Sequence, residues 1–285
     1  MALTKTKDFT WFELNPHPWV KRLNLIQSTL IKHGIKNSYK TGHFEVSEVQ
    51  EMIEKIKKRF QSIRISGPIS SYLPSQLTEL THEVQIIGSV DVMHKDHLNR
   101  WWARNLLTES IMRLIAVLSI NPQRSADALV IGSDSLARSV IVGLTRIGLN
   151  KIYVLDQNIE NVEKLNASYN KFFLGSKIMF TSVEQLAHMH GTCGIAVNTI
   201  DDESLLTNVY YLNFLQKDGV VIDLSSFNKN QQEQKTSQRL LEEVHKFGAR
   251  AVGGIYLDSF FDVIWFENIF NIKLNPIEYH KNLFT

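Results

Sequence analysis

Short apolar runs alternate with longer segments of helical periodicity through most of the chain. The runs are rich in Val, Ile and Leu and lack a strict polar alternation, which is typical of parallel strands buried on both faces. We predict strands at residues 62–68, 83–93, 128–132, 151–156, 176–180, 194–199, 219–225 and 249–254.

The segments between these runs have the spacing of amphipathic helices. We predict helices at residues 105–120, 136–148, 158–170 and 236–248, and two more in the tail separated by a turn at Pro276. Gly148 and Gly248 end two of them, as a C-terminal helix cap requires. The polar stretch 121–127 is the clearest hinge-like break. Strand–helix–strand alternation predicts an α/β fold with a doubly wound parallel sheet and right-handed crossovers.

Length and charge narrow the class of protein. A chain of 285 residues is long enough for two domains. Its 31 basic and 29 acidic residues leave a net charge of +2, so we expect neither a nucleic-acid nor a membrane partner. The single Cys193 excludes an intrachain disulfide, and the first residues show no apolar signal segment. We therefore expect a cytoplasmic protein, and the sequence leaves open whether it forms a homodimer.

The stretch "ALVIGSDSLARSVIVGL" (128–144) has the pattern of the strand, turn and helix of a nucleotide-binding fold. Where such a turn repeats glycine, this chain keeps Gly132 and then has Ser133, Asp134 and Ser135. A carboxylate at Asp134 opposes phosphate binding, whereas the two serine hydroxyls can donate to phosphate. Alternatively, Asp134 or Ser135 simply caps the helix.

The order of landmarks resembles that of the shikimate dehydrogenase family over nearly the whole chain. The landmarks are "LPSQLTELTHEVQIIGSVDVM" (73–93), the glycine-poor turn, "GIAVNTI" (194–200) and "KFGARAVGGIYLDSFFDVIWF" (246–266). The resemblance implies a substrate-binding domain of residues 1–105 with 258–285 and a Rossmann-like domain of residues 106–257. It also implies a small-molecule ligand in a cleft between the two domains, and C-terminal helices that return to the first.

The same resemblance indicates a divergent site. The family's proton-transfer lysine falls on Ser70, and its partner aspartate falls on Arg104. Its substrate-binding asparagine falls on Asp91, and the glutamine of its last helix falls at about Phe261. A serine hydroxyl is too weakly basic to accept the proton of an alcohol without an adjacent base. We therefore expect little or no turnover of shikimate, and the catalytic residue is unknown.

Asp91 and Arg104 suggest two alternatives. An anion and a rigid guanidinium in one cleft could clamp the ammonium and carboxylate of an amino-acid-like ligand. The other interpretation is that the two side chains pair with each other and close the cleft.

Three other groups of residues indicate a function only weakly. The segment "HKDH" (94–97) offers acid or base groups but, by the resemblance, forms a hairpin tip. His188, His190 and Cys193 have metal-compatible spacing without a fourth ligand, so no metal site is predicted. Trp101–Trp102 are expected to pack at the domain junction.

The residues at the end of the second strand of the nucleotide-binding fold indicate which cofactor is preferred. Asp156 lies 24 residues after Gly132, near the ~20 expected for an acidic residue that binds a ribose 2′-hydroxyl. The family's NADP-binding members have an arginine where Gln157 stands, so NAD is favoured over NADP. The resemblance also assigns Asn198 to the cofactor site and Gly254 to the space beside the nicotinamide ring.

These features support an oxidoreductase-like protein of altered specificity, NAD-linked and acting on an amino-acid-like or other small carboxylate. Two alternatives remain open at this point. One is a catalytically inactive relative that binds a ligand or a protein partner, and the other is a non-redox enzyme on the same fold.

Overall fold

The structure is a computed structural model with two β-sheets. It describes residues 8–67, 69–77, 79–120, 126–169, 171–173, 175–227 and 235–283. Pro68 and most of the hinge predicted at 121–127 lie outside the described residues.

The first sheet is mixed and has the strand order β2-β1-β3-β4-β5. Its strands are β1 (Phe9–Leu14), β2 (Asn37–Gly42), β3 (Ser62–Ile65), β4 (Val92–Lys95) and β5 (Trp101–Arg104). β1 runs parallel to β2 and β3, whereas β3, β4 and β5 pair antiparallel. The helices of this half are α1 (Val20–Lys32), α2 (Val49–Lys57), α3 (Ile69–Tyr72) and α4 (His82–Ile87), with 3-10 turns at Val46–Glu48 and Leu73–Gln76.

The second sheet is parallel at every strand pair, as the sequence predicts. Its strands are β6 (Asp127–Ile131), β7 (Lys151–Leu155), β8 (Lys177–Thr181), β9 (Cys193–Asn198), β10 (Leu215–Asp223) and β11 (Arg250–Gly253). Their order β11-β10-β9-β6-β7-β8 is that of a Rossmann sheet, with its switch point between β6 and β9. The helices of this half are α6 (Ser135–Arg146), α7 (Ile159–Tyr169), α8 (Val183–His188), α9 (Glu203–Val209) and α10 (Lys235–Phe247).

Two helices join the halves into one hydrophobic core. α5 (Leu107–Val117) packs against α6 of the second half and against α11 (Ile255–Phe270). α11 is buried along its whole central part, residues 257–266, and α12 (Pro276–Asn282) folds back on it. The core therefore runs without a break from Trp11 in the first sheet to Val130 in the second.

One predicted strand is wrong in its first half. Residues 83–87 belong to α4, and only the end of the predicted segment forms β4. The Thr81 hydroxyl accepts a hydrogen bond from the Val84 amide at 3.4 Å and caps the helix. Gly88, with a φ of 70°, ends it in the left-handed conformation.

The tryptophan pair lies on β5, at the edge of the first sheet, and the predicted place at the domain junction is wrong. Trp101 packs on the core beneath α2, whereas Trp102 is 42% exposed and its indole N–H donates to Asp96 at 3.0 Å. β4 and β5 form the expected hairpin, although His94 and Lys95 lie within the strand.

In the part of the chain that the structure describes, no helix combines the length and apolar character needed to cross a bilayer.

Candidate functional site

A cavity of about 440 Å³ lies between the two sheets, where several strands end. Residues after β1 and β3 line one side, and residues after β6, β9 and β10 line the other. Ligands of doubly wound sheets bind outside the carboxyl ends of the strands, beside the switch point. This interdomain cleft is therefore the candidate site.

Asp91 lies at the buried end of the cleft and is 1% exposed. Its two carboxylate oxygens accept hydrogen bonds from the backbone amides of Leu106, at 2.8 Å, and Leu107, at 2.7 Å. Both amides lie at the start of α5. Burial raises the pKa of Asp91 to about 7, although both hydrogen bonds act in the opposite direction. Asp91 is therefore a carboxyl group that changes its protonation near neutral pH while facing a cavity.

Arg104 does not line the cleft, and the predicted ligand clamp does not form. The guanidinium of Arg104 donates to Asn268 Oδ1 on α11 at 2.6 Å. The direct contact between Asp91 and Arg104 is instead the backbone ladder, in which the Asp91 amide donates to the Arg104 carbonyl at 3.1 Å. The alternative of an ion pair across the cleft is also wrong, because each Asp91 oxygen accepts an amide at the start of α5 and the Arg104 guanidinium donates to Asn268.

Ser70 and Phe261 both line the cleft, and both are 3% exposed. Ser70 lies on α3, and no hydrogen bond joins its hydroxyl to another described residue. Phe261 on α11 packs edge-on to Phe227, with ring centroids 6.0 Å apart. The guanidinium of Arg64 lies 5.0 Å from the Phe261 ring on the buried side. The cleft thus has an apolar wall where the family resemblance places a glutamine.

The geometry of the turn after β6 explains why a glycine stands at position 132 and an aspartate at position 134. Gly132 has a φ of 108°, and a Cβ there would lie 2.4 Å from Thr199 Oγ1. Asp134 is the N-cap of α6, since its carboxylate accepts the Ala137 amide at 2.8 Å. Thr199 Oγ1 also donates to this carboxylate, at 3.3 Å. The expected helix cap is therefore Asp134, and α6 begins at Ser135.

Asp134 nevertheless faces the cleft, together with Ser135. Burial raises the pKa of Asp134 above its ordinary value, while the Ala137 and Thr199 hydrogen bonds lower it. The hydroxyls of Ser133 and Ser135 make no hydrogen bond to another described side chain, but only Ser135 lines the cleft, whereas Ser133 is buried beside it. The turn therefore offers the Ser135 hydroxyl to a phosphate, with one carboxyl group in opposition.

The end of β7 presents Asp156 to solvent. Its Oδ1 accepts the Asn158 amide at 2.8 Å, and its second oxygen accepts no hydrogen bond within the described part of the chain. Gln157 donates to Asp202 Oδ2 at 2.6 Å and is therefore held against the loop after β9. An open carboxylate oxygen at Asp156 fits a ribose hydroxyl, and a carboxylate at this position does not fit a 2′-phosphate.

Asn198 and Gly254 have structural explanations. Asn198 is fully buried, and its amide donates to Asp223 Oδ1 at 2.9 Å, which ties β9 to β10. A Cβ on Gly254 would lie 2.8 Å from Ser226 Oγ and 2.9 Å from the Asp223 carbonyl. Gly254 therefore lets α11 start against β10, and it does not line the cleft.

Sequence reasoning missed the residues that follow β1. Asn15 and His17 line the cleft, and Asn15 Oδ1 accepts the His17 amide at 2.8 Å. Thr199 and Ser225, which follow β9 and β10, were also missed. Their position directly after buried strands is the signal that could have identified the last two.

The lining of the cleft combines an apolar surface with polar side chains, and no lysine or arginine among the described residues belongs to it. Its titratable groups are Asp91, Asp134 and His17. Such a lining can accept hydrogen bonds and protons, but it offers a carboxylate ligand no guanidinium or ammonium. Elsewhere, no group of three His, Cys, Asp or Glu residues in the described chain is arranged to hold a metal ion.

The fold and the cleft define a two-domain α/β protein whose second sheet is of the dinucleotide-binding type. No family model matches the chain. The NADP(+)-dependent shikimate dehydrogenase of Trichormus variabilis is 23% identical over 186 residues, which are 63% of this chain and 61% of the relative. The match therefore spans less than two thirds of that relative's length.

Solved structures match almost the whole chain. Shikimate 5-dehydrogenase from Listeria monocytogenes, in complex with shikimate and NAD, gives a TM-score of 0.80 at 15% identity over 100% of this chain and 99% of that one. Quinate dehydrogenase from Corynebacterium glutamicum, in complex with NAD, gives 0.79 at 13% identity over 97% and 98%. The chain has the fold of the shikimate dehydrogenases, and the family resemblance seen in the sequence is confirmed.

Proposed function

We propose that this protein is an NAD-linked oxidoreductase that acts on a small, uncharged hydroxyl compound, with Asp91 as the proton acceptor. The observation that carries the proposal is a buried carboxyl group in the interdomain cleft of a shikimate dehydrogenase fold, where no lysine of the described residues lines the cavity. The related enzymes with shikimate or NAD bound support the same cleft as the ligand site.

The cofactor site would be formed by the turn after β6 and the end of β7. Ser135 would donate to the phosphates, and Asp156 would accept from a ribose hydroxyl. When bound, a nicotinamide dinucleotide supplies a hydride acceptor. Since Gln157 and Asp202 occupy the adjacent position, this proposal favours NAD over NADP. Asp134 weakens binding through its charge, but it does not fill the cleft.

Asp91 would take the hydroxyl proton when the alcohol is oxidised. The carbon loses a hydride, the oxygen loses its proton to the Asp91 carboxylate, and the product is a carbonyl compound. A general base works best when its pKa lies near the working pH. The pKa of about 7 for Asp91 meets that condition without a neighbouring lysine.

The lining of the cleft favours an uncharged substrate over the small carboxylate that the sequence suggested. Arg104, the expected carboxylate partner, is bound to Asn268. Asp91 and Asp134 would repel an anion, whereas Ser70, Ser135 and Asn15 can form hydrogen bonds with hydroxyl groups. Phe261 and Phe227 supply an apolar surface for the carbon skeleton.

The test has two stages. NADH and NADPH are each titrated against the protein with nicotinamide fluorescence and the melting temperature as readouts. NADH is expected to bind more tightly, and Asp156→Asn is expected to reduce that preference. A panel of neutral polyols and cyclic alcohols is then screened for NAD reduction. If millimolar NADH and NADPH leave both readouts unchanged, the redox function is wrong.

A second candidate is a non-catalytic ligand-binding protein. The observation that favours it is that both carboxyl groups of the cleft already serve as helix caps, Asp91 for α5 and Asp134 for α6. Ligands from the same panel that raise the melting temperature without any NAD reduction would support this candidate.

A further inference from the structure

A second cavity, of about 530 Å³, lies on the α2 side of the first sheet. Residues of β1, of the end of β2, of the loop after it and of α2 line this cavity. It shares no lining residue with the interdomain cleft. We name it the α2 cavity.

The floor of the α2 cavity is apolar. Its side chains are Phe12, Phe44, Met52, Ile56 and Phe60. Phe12 and Phe60 meet edge to face with ring centroids 5.2 Å apart. Met52 and Phe60 remain half-buried, so part of this apolar surface is open to a ligand.

Gly42, at the end of β2, keeps this floor in place. A Cβ at Gly42 would lie 2.7 Å from Phe12 Cζ. Any other residue at this position would push the Phe12 ring away from β2. The absence of a side chain therefore allows the aromatic floor to extend under the edge strand.

The rim of the α2 cavity is basic. Lys40, Lys55, Lys58 and Arg59 line it, and among the described residues no carboxylate does. Lys55 pairs with Glu51 one helical turn away. Within the described residues the other three cations form no ion pair, and all three are exposed. The chain as a whole carries a charge of only +2, so this concentration of positive charge is local.

We propose that the α2 cavity binds a free amphipathic carboxylate, with its acyl or aryl body on the aromatic floor and its carboxylate at the basic rim. Charge complementarity selects the occupant, because three cations without an ion-pair partner in the described chain border an apolar surface whose described lining has no acidic group. Guanidinium and ammonium groups bind carboxylates through charge-assisted hydrogen bonds. The proposal is independent of the function assigned to the interdomain cleft.

The test uses three probes with the same chain length and different charge: octanoate, octanol and octylammonium. Protein labelled with ¹³C at the methionine methyl groups gives a site-specific readout, since Met52 lines the cavity and the chain has six methionines. Met52→Leu assigns the Met52 signal. Octanoate is expected to shift that signal with an affinity about tenfold above that of octanol, and octylammonium is expected to bind more weakly still.

The variant Lys58→Glu/Arg59→Glu should reduce octanoate affinity by about tenfold or more and reverse the order of the probes. Its matched control, Lys177→Glu/Lys217→Glu, makes the same charge change at exposed positions outside the cavity and should leave the titration unchanged. Circular dichroism melts check that both variants fold. Equal affinity for the three probes, or an octanoate shift of Met52 that survives the Lys58/Arg59 change, would overturn the proposal.

Discussion

The carboxylate of Asp134 accepts the backbone amide of Ala137 at 2.8 Å, so a side chain of the protein satisfies one of the amides at the start of α6. In a dinucleotide site those amides attract the pyrophosphate. The same carboxylate lines the cleft. The single carboxylate of Asp134 therefore has two effects: it stabilises helix α6, and it repels an anionic ligand in the cleft.

The variant Asp134→Asn should strengthen NADH binding. Asparagine is as good an N-cap as aspartate, so the helix is retained while the negative charge is removed. We expect the affinity for NADH to rise by about threefold to tenfold. Isothermal titration calorimetry or nicotinamide fluorescence measures the change.

The pH dependence distinguishes this effect from a change in folding. Burial raises the pKa of Asp134, so wild-type affinity should fall as the pH rises through that pKa, and the variant should not show this fall. Asp218→Asn removes an exposed carboxylate of β10 and serves as the control. If Asp134→Asn and Asp218→Asn bind NADH alike, Asp134 does not oppose the cofactor.

Asp91 should make folding less favourable as the pH rises from about 4 to about 7. Its folded pKa of about 7 lies above the ordinary 3.8, so the folded state binds more protons in this window and the unfolding free energy falls with pH. The penalty becomes constant only well above pH 7, where the folded Asp91 is fully ionised. Between pH 5 and pH 7 wild type should lose about 2–3 kcal/mol relative to Asp91→Asn.

Urea unfolding of both proteins at several pH values gives the relative change. The constant cost of placing an asparagine amide against the Leu107 N–H cancels in that comparison. A ¹³C titration of the Asp91 carboxyl provides a direct check. A midpoint below about pH 5 would remove Asp91 as the proposed proton acceptor, because it would then be a weak base at neutral pH.

Replacing Gly132 by alanine should reduce the stability of the fold far more than the same change at another glycine with the same backbone conformation. Gly132 has a φ of 108° and Gly175 a φ of 104°, but only Gly132 has close neighbours, Thr199 and Ile200. Alanine at Gly175 should cost about 1–2 kcal/mol from backbone strain. Alanine at Gly132 should cost a further 1–3 kcal/mol, roughly, from overpacking against the loop after β9.

Denaturant unfolding of the two single variants measures this difference. Similar losses of stability would mean that the loop after β9 moves aside for a Cβ. In that case Gly132 would be needed only for its backbone conformation.

The second sheet was largely predictable because its strands are buried on both faces. "ALVIG" and "GIAVNT" form continuous apolar runs that have few alternative explanations. The first sheet was harder. β2, "NSYKTG", is a polar edge strand with no apolar alternation, and α4, "HEVQII", has a strand-like composition. Only the Thr81 cap and the left-handed Gly88 mark α4 as a helix.

The candidate site was predictable in its location and not in its chemistry. Ser70, Asp91 and Phe261 line the cleft as the family resemblance implied. Arg104 donates to Asn268 on α11, and this contact joins residues 164 positions apart, which a local sequence pattern does not show. The capping roles of Asp91 and Asp134 depend on where α5 and α6 begin, and helix boundaries are the least predictable part of a sequence pattern.

Asp262 should be essential for stability although it lies outside the cleft. Its Oδ1 accepts hydrogen bonds from Arg22 and Arg64, both at 2.7 Å, and it is fully buried on α11. These bonds tie α11 to α1 and β3. Asp262→Asn leaves two buried guanidinium groups short of a carboxylate, and we expect a loss of about 3–5 kcal/mol. Glu243→Gln, which breaks the exposed pair with Lys246, is the control and should cost less than about 1 kcal/mol.

The sign of the pH effect is opposite to that of Asp91. The two arginines lower the pKa of Asp262 below its ordinary value of 3.8, although burial acts against them. Its contribution is therefore present above about pH 4 and is lost as the pH falls through the folded pKa. The difference between wild type and Asp262→Asn should shrink in acid, as measured by urea unfolding from pH 7 downward. A difference that stays below 1 kcal/mol, roughly, at pH 7 would show that the buried network is not what holds α11 against the first sheet.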